Sequence, residues 1–192
     1  MLGHMTSAPG SPATPRATDL VPPDAHVFGN PDAAVTIVEF GDFECPYCHD
    51  AAPALRSVVE ESGGQVRLVF RHFPLFEVHP YALTAALAAE AAGEQGRFWD
   101  MHDLLFAHQD RLDDTALAHW AQKLGLDGAS VVGDAAQRHG DVVERDYLAG
   151  AALGVRGTPT VYVDGERYRG RVTEDGLRAA VAAALAAAGQ GA

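Results

Sequence analysis

The first strong hydrophobic pattern in the chain is the run Val-Thr-Ile-Val-Glu-Phe at residues 35–40. Because it is β-branched and almost continuously apolar, this run is typical of a strand that is covered on both faces. A helix is expected next, from residue 45 to about residue 61, with Gly63-Gly64 ending it. The apolar run at 66–70 then completes a strand–helix–strand unit, which predicts two parallel strands joined by a right-handed crossover.

Helical periodicity governs the middle of the chain, about residues 79–154, where apolar residues recur three, four and seven positions apart. Glycines divide this stretch into four or five predicted helices. The chain then returns to a strand at 160–163, a hairpin turn at Asp164-Gly165 and a partner strand at 167–169. Apolar residues four positions apart indicate a last helix from residue 173 onward. The sequence therefore predicts an α/β fold in which a β-α-β half is followed by a helical insertion and a β-β-α half.

Residues 1–24 differ from the rest of the chain, because five prolines stand there among serine, threonine and alanine. A segment of this composition cannot bury enough apolar surface to offset its ordering entropy, so we predict a flexible tail or a tag remnant. Residues 25–192 form the predicted folded domain. We find no apolar leader at the start of the chain, which favours the cytoplasm, or export if a leader has been removed.

Charge and composition narrow the function classes. The 192-residue chain has 14 Lys and Arg residues against 26 Asp and Glu residues, a formal net charge of −12. This excess of negative charge repels phosphate backbones, so nucleic acid is not an expected partner. The longest apolar run, residues 179–188, is too short and too rich in alanine to span a bilayer. With no dimerisation segment visible, we expect a monomer without a membrane span.

The chain has only two cysteines, Cys45 and Cys48, separated by Pro46 and Tyr47. A structural disulfide stabilises mainly by closing a longer loop, and a ring this small gains little in that way. Thiol–disulfide exchange needs one thiolate that attacks and a second thiol that releases the mixed disulfide. Two cysteines one helical turn apart meet both needs, so we assign Cys45 as the nucleophile and Cys48 as the resolving thiol.

The position of Cys45 at a helix start predicts how its thiol is activated. Unpaired backbone N–H groups and the helix dipole favour negative charge there, and can lower a thiol pKa from about 8.5 to roughly 3.5–7.5. Tyr47 cannot stabilise the thiolate by charge, and the carboxylates of Asp42 and Glu44 oppose it. We therefore expect an exposed Cys45 whose pKa is below that of a free thiol but not at the low extreme.

A zinc site is the alternative use of a Cys-x-x-Cys pair. It needs two more ligands, and the chain has no other cysteine. The histidines nearest in sequence, His49, His72 and His79, follow no common zinc spacing, so no metal is expected. Four other histidines are expected on helix surfaces: His102, His108, His119 and His139.

A second motif, Gly157-Thr158-Pro159-Thr160, lies just before the 160–163 strand. On its own it is best read as an ordinary trans proline, since only about 5–6% of X-Pro bonds are cis. Together with Phe43-Glu44-Cys45-Pro46-Tyr47-Cys48 after a strand, however, this motif resembles the thioredoxin superfamily. The helical insertion between the second strand and the proline resembles the DsbA-like branch in particular, and the likeness covers about residues 35–188.

The resemblance implies a thioredoxin fold with a helical insertion between the second strand and a cis-proline, Pro159. It also implies that Pro159 packs against the cysteine pair and that a substrate-binding surface forms around the pair, from Pro46, Tyr47, Thr158 and Pro159. The runs at 71–75 and 78–80 further resemble bacterial thioredoxin-like domains that occur alone or fused to sodium/proton antiporters. The dipeptide Pro-Tyr departs from the Pro-His of strongly oxidising members and is the usual glutaredoxin dipeptide.

Glu39 is a charged residue in an otherwise apolar strand, six positions before Cys45. The resemblance places a buried acid there in many members, as a proton relay beneath the resolving thiol. A buried carboxyl with a raised pKa can take the proton of Cys48 as that thiol attacks. The alternative is a strand-end glutamate that faces solvent.

The leading hypothesis is a DsbA-like thiol–disulfide oxidoreductase that acts on protein thiols or disulfides. It needs no cofactor beyond the redox-active Cys45–Cys48 disulfide, and its redox partner is unidentified, with glutathione or a thioredoxin-type reductant as candidates. A glutathione-linked, glutaredoxin-like reductase is one alternative, because of the Pro-Tyr dipeptide. A non-catalytic redox-sensing module is another. The sequence leaves the direction of exchange open, because it depends on which form the fold stabilises.

Overall fold

The computed structural model describes residues 20–189 of the chain. The predicted tail or tag remnant at 1–24 falls mostly outside these residues. In chain order the elements are β1 (Val27–Gly29), β2 (Val35–Gly41), α1 (Pro46–Glu60), β3 (Val66–His72), α2 (Ala82–Gly93), α3 (Phe98–Ala107), α4 (Asp114–Lys123), a 3-10 turn (Gly128–Val131), α5 (Gly133–Gln137), α6 (Gly140–Ala152), β4 (Thr160–Val163), β5 (Glu166–Arg167) and α7 (Glu174–Gly189).

The strands form one sheet in the order β1-β3-β2-β4-β5. β2 and β3 are parallel, with Val35 opposite Val66 and Gly41 opposite His72. The remaining pairs in this order are antiparallel. Every residue of β2 is buried, because a strand flanks it on each side and helices cover the sheet. The prediction of a thioredoxin fold with a helical insertion is therefore confirmed.

The two faces of the sheet carry separate clusters of apolar side chains. Val35 and Ile37 of β2 point to one face, where they pack with the apolar stripes of α1 and α7. Val38 and Phe40 alternate with them and point to the other face, where they pack with Leu20 and neighbours from β3 and β4. Because side chains of β2 pack in both apolar clusters, this strand fixes the position of the loop that follows its carboxyl end.

The start of the folded region differs from the prediction. β1 was not predicted, because three residues carry too little periodicity to reveal a strand, and it forms by pairing antiparallel with β3. Leu20, which we placed in the tail, is 1% exposed and packs in the core. At the other end, the hairpin partner β5 lies at Glu166–Arg167, one residue earlier than predicted, after a turn in which Asp164 and Gly165 have φ of 49° and 88°.

The insertion comprises α2 to α6, in agreement with the four or five helices that the glycine spacing predicts. One prediction within it is wrong. His102 of α3 is 4% exposed rather than on the surface. The centroid of its ring lies within 6.3 Å of those of five aromatic rings: Phe43, Phe70, Phe98, Trp99 and Phe106. Within residues 20–189, no helix has both the length and the apolar character needed to cross a bilayer.

A buried ion pair joins the sheet to the insertion. Arg71 of β3 donates from Nε and Nη2 to Asp146 Oδ1 of α6, at 3.0 and 2.7 Å. The other oxygen of Asp146 accepts the backbone N–H of His72 at 3.2 Å. Because both partners are almost fully buried, this pair fixes how the last helix of the insertion sits against β3.

We expect the substitution Asp113→Ala to lower the free energy of unfolding by about 1 kcal/mol, because Asp113 is the N-cap of α4. Its carboxylate accepts the backbone N–H groups of Thr115 and Ala116 at 3.0 and 3.2 Å. Urea denaturation measures the difference. Asp113→Asn retains a capping oxygen and should stay within about 0.5 kcal/mol of wild type. Equal stability of the alanine and asparagine variants would contradict the capping role.

Candidate active site

The cysteine pair lies at the amino end of α1, just beyond the carboxyl end of β2. Cys45 is the N-cap residue, with φ −76° and ψ 120°, and Pro46 is the first helical residue, as predicted. The carbonyl of Cys45 begins the helix by accepting the N–H groups of Cys48 and His49 at 3.1 and 3.2 Å. Both cysteines are free thiols in this structure. The local sequence therefore sets Cys48 one turn after Cys45, on the same face of the helix.

The expectation that Cys45 is exposed is wrong. Cys45 is 3% and Cys48 0% exposed. Cys45 is covered by the loop before β4, where its Sγ lies 3.4 Å from the carbonyl oxygen of Thr158. The peptide bond between Thr158 and Pro159 is cis. The hydroxyl Oγ1 of Thr158 is buried and has no hydrogen-bond partner among the described residues.

The two thiols differ in acidity. The Cys48 thiol lowers the pKa of Cys45 to about 5, against the opposing effect of burial, and the backbone N–H groups of Cys48 and Tyr47 lower it further. Burial raises the pKa of Cys48 well above its ordinary value, and the nearby Cys45 and Glu39 raise it further. At neutral pH, Cys45 is therefore a thiolate and Cys48 a thiol, which is the state that exchange chemistry requires.

We expect a thiolate titration of the reduced protein, followed by ultraviolet absorbance, to show one midpoint near the Cys45 pKa of about 5. The Cys48 thiol should not ionise until well above neutral pH. The Cys45→Ala variant should lose the low midpoint and the Cys48→Ala variant should keep a single titrating thiol. A first midpoint at about 8.5, the ordinary value for cysteine, would contradict an activated Cys45.

Glu39 lies in the middle of the sheet, in β2, between Phe70 of β3 and Val161 of β4. It is 0% exposed, and neither carboxylate oxygen has a hydrogen-bond partner among the described residues. The pKa of Glu39 is raised to about 8, mainly by burial. The contact with Cys48 lowers this pKa, and the negative charge of Cys45 raises it. The carboxyl group is therefore protonated at neutral pH and lies close to the resolving thiol.

Sequence reasoning assigned Asp42 only an unfavourable charge, but this residue organises the active-site loop. Asp42 is 2% exposed. One oxygen accepts the backbone N–H of Glu44 at 2.8 Å, and the other accepts the N–H of Leu75 at 2.8 Å and lies 2.8 Å from His79 Nδ1. These contacts join the active-site loop to the segment 73–81, which no spacing rule could have revealed. Gln109, also missed, contacts the same loop from the insertion.

Exposed apolar side chains lie between the two cysteines and on the segment 73–81, which Asp42 joins to the active-site loop. Tyr47, between the cysteines, is 72% exposed, and the segment 73–81 presents Phe76 and Val78 at 50% and 67% exposure. A groove of about 590 Å³ runs between this segment and the residues that precede Thr158. Among residues 20–189, no group of three or more His, Cys, Asp or Glu side chains is placed to hold a metal ion. The cysteine pair thus lies next to a partly apolar surface, and Cys45 itself is covered by the loop before β4.

A sequence model of the family described as thioredoxin matches residues 22–183. The chain belongs to the thioredoxin family. Among solved structures, this thioredoxin-family protein is similar to a thioredoxin-like oxidoreductase from Silicibacter pomeroyi DSS-3, with 31% identity and a TM-score of 0.74 over 86% of this chain and 94% of the other. Oxidised BdbD from Bacillus subtilis shares its fold, with 23% identity and a TM-score of 0.78 over 90% and 96% of the two chains. The resemblance to the thioredoxin superfamily is therefore confirmed.

Among curated proteins, this thioredoxin-family protein is similar to parts of much longer chains. It is 49% identical over 168 residues to the Na(+)/H(+) antiporter NhaA 1 of Salinispora arenicola (strain CNS-205). It is 48% identical over 170 residues to the Na(+)/H(+) antiporter NhaA 3 of Salinispora tropica. The match covers 86% and 88% of this chain but 26% of each relative. This agrees with the antiporter-fused resemblance in residues 71–75 and 78–80.

Proposed function

We propose that this protein exchanges disulfides with protein thiols through Cys45 and Cys48. The observation that carries the proposal is the opposite acidity of the two sulfurs, with the pKa of Cys45 lowered to about 5 and that of Cys48 raised. A structural thiol pair has no need of such a difference, whereas a nucleophile and a resolving thiol do. The fold, which is that of thiol–disulfide oxidoreductases, supports the same function.

In the oxidising direction, a substrate thiolate attacks Sγ of Cys45 and forms a mixed disulfide. The Cys45–Cys48 bond breaks, and its electron pair stays on Cys48 Sγ, which takes a proton. Glu39, protonated below about pH 8 and buried beside Cys48, is the group that can supply that proton. A second substrate thiolate then attacks the substrate sulfur of the mixed disulfide and releases the Cys45 thiolate. The substrate dithiol loses two electrons and the protein disulfide gains them.

The acidity of Cys45 also favours a direction for exchange. A thiolate that is stabilised in the reduced protein makes the reduced form more stable, so the disulfide form becomes a stronger oxidant. The pKa of Cys45, about 5, lies between those of the active-site cysteines of thioredoxin, about 7, and DsbA, about 3.5. We therefore propose that the protein donates disulfides rather than reducing them.

The test of the proposal is turnover. Oxidised protein at catalytic amount is mixed with a reduced peptide that has two cysteines and an excess of oxidised glutathione, and the peptide disulfide is followed by mass. Many peptide molecules oxidised per protein molecule would support the oxidoreductase. A single equivalent and no more would favour the redox-sensing module instead. Rapid turnover of a glutathione mixed disulfide without any peptide oxidation would favour the glutaredoxin-like alternative.

A further inference from the structure

A side chain from the helical insertion contacts the backbone of the active-site loop. Gln109 lies two residues after the end of α3 at Ala107. Its Nε2 donates to the carbonyl oxygen of Phe43 at 2.8 Å and to that of Cys45 at 2.9 Å. Both partners are carbonyls, so only the amino group of the amide can occupy this position, and it uses both of its hydrogens. Residues 64 or more positions apart are thereby joined at the reactive sulfur.

The two carbonyls that Gln109 contacts, those of Phe43 and Cys45, lie in the loop that leads into α1. The Cys45 carbonyl already accepts two helix N–H groups, so a third donor fixes the orientation of its peptide plane. That plane carries the chain into Pro46 and the first turn, whose Tyr47 and Cys48 N–H groups help to lower the pKa of Cys45. Any rotation of the loop about these carbonyls moves Sγ away from the N–H groups that stabilise its charge.

The other contacts of the loop hold different parts of it. The ring of Phe43 stacks on Phe70 at 4.9 Å, and Asp42 binds the segment 73–81. Neither contact involves the carbonyls of Phe43 or Cys45. Loss of the Gln109 amide would leave the partly buried Phe43 carbonyl without this donor. Turning that carbonyl toward water would then lower the free energy of the loop, because water can supply the missing hydrogen bond.

We propose that Gln109 is a positioning residue for thiol–disulfide exchange, because its amide holds the active-site loop so that the amino end of α1 faces Sγ of Cys45. This inference rests on the proposed function and gives the insertion a role in it beyond covering the core. Gln109 does not contact the reacting sulfur itself. It acts through the backbone on either side of Glu44.

The test compares Gln109→Met, which keeps the length of the side chain and removes both donors, with wild type. Gln95→Met is the matched control, because Gln95 also lies in the insertion and donates from Nε2, to Ala91 and Ser130. The readouts are the thiolate titration of Cys45 and the redox equilibrium with glutathione. We expect Gln109→Met to raise the Cys45 midpoint by about one pKa unit and to make the protein about tenfold less oxidising. Gln95→Met should match wild type.

A second variant keeps the inference testable if the methionine variant does not fold. Gln109→Glu preserves shape, but its carboxylate opposes both carbonyls and adds negative charge near Cys45, so the midpoint should rise further than in Gln109→Met. A Gln109 variant that titrates as wild type does would overturn the inference and leave the proposed function intact. Equal shifts in the Gln109 and Gln95 variants would also overturn it. A wild-type midpoint at about 8.5 would overturn both.

Discussion

Cys45→Ser should abolish disulfide exchange, with a loss of at least about a thousandfold in rate, because a serine hydroxyl neither ionises near neutral pH nor forms a disulfide. Cys48→Ser should instead react once and stop. In that variant Cys45 keeps its place at the helix start, where backbone N–H groups lower its pKa, but no thiol is left to resolve the mixed disulfide. The measurement is reduction of the disulfide of an oxidised two-cysteine peptide by the reduced protein, the direction in which Cys48 resolves the mixed disulfide, followed by mass under non-reducing conditions.

Each of the two serine variants serves as the matched control for the other. Each removes one thiol from the same turn of helix, at two buried positions, so a general packing defect should affect both. The mixed disulfide with the peptide should accumulate on Cys48→Ser and be absent from Cys45→Ser. Accumulation on Cys45→Ser instead would mean that Cys48 is the nucleophile, and would contradict the assignment of the two roles.

Glu39→Gln should slow the release of the mixed disulfide by about a hundredfold, because the buried carboxyl is the group that exchanges a proton with Cys48. The amide of this variant would fill the same space without titrating, so in the reducing direction the first step, attack of the Cys45 thiolate on a substrate disulfide, should keep its rate. Stopped-flow kinetics with a fluorescent mixed disulfide separates the two steps. If both steps run at the wild-type rate, Glu39 has no part in the mechanism.

The same residue makes stability depend on pH. The pKa of Glu39 is raised from 4.5 to about 8 in the folded protein, so the native state holds a proton that the unfolded state releases between these values. Its stabilising effect is complete below pH 4.5 and is lost as pH rises through about 8. Denaturation of the reduced protein should show stability falling by up to about 5 kcal/mol more than in reduced Glu39→Gln across this range, because both proteins contain the same two thiols. Parallel pH profiles would contradict the buried, protonated carboxyl.

Local pattern was enough to predict most of the fold. The apolar run at residues 35–40 specified β2 because a strand covered on both faces has no polar side, and Pro46 with the later glycines marked both ends of α1. β1 was not predicted because its three residues form a strand by pairing with β3 and show no hydrophobic period of their own. His102 was assigned to the surface because periodicity alone does not show that the aromatic rings of β3 and the active-site loop surround it.

The site was predictable only where its residues are close in sequence or share a recognisable motif. Cys45 and Cys48 follow from their spacing, and Glu39 was singled out by its charge in an apolar strand. Cys45 contacts Thr158, 113 positions away, and the Gln109 contact bridges 64 positions to Cys45. An isolated glutamine in an insertion has no sequence signal, because its role depends on two backbone carbonyls that any residue would supply.

The reduction potential of the Cys45–Cys48 pair tests the central claim most directly. The protein is equilibrated with glutathione buffers of graded ratio, trapped by alkylation and read by mass, with each cysteine variant as a control for which thiol is modified. With a Cys45 pKa of about 5, we predict reversible cycling at a potential between about −120 and −200 mV. A value of about −270 mV or lower would contradict a thiolate-stabilised disulfide donor, and a pair that does not cycle at all would contradict the oxidoreductase itself.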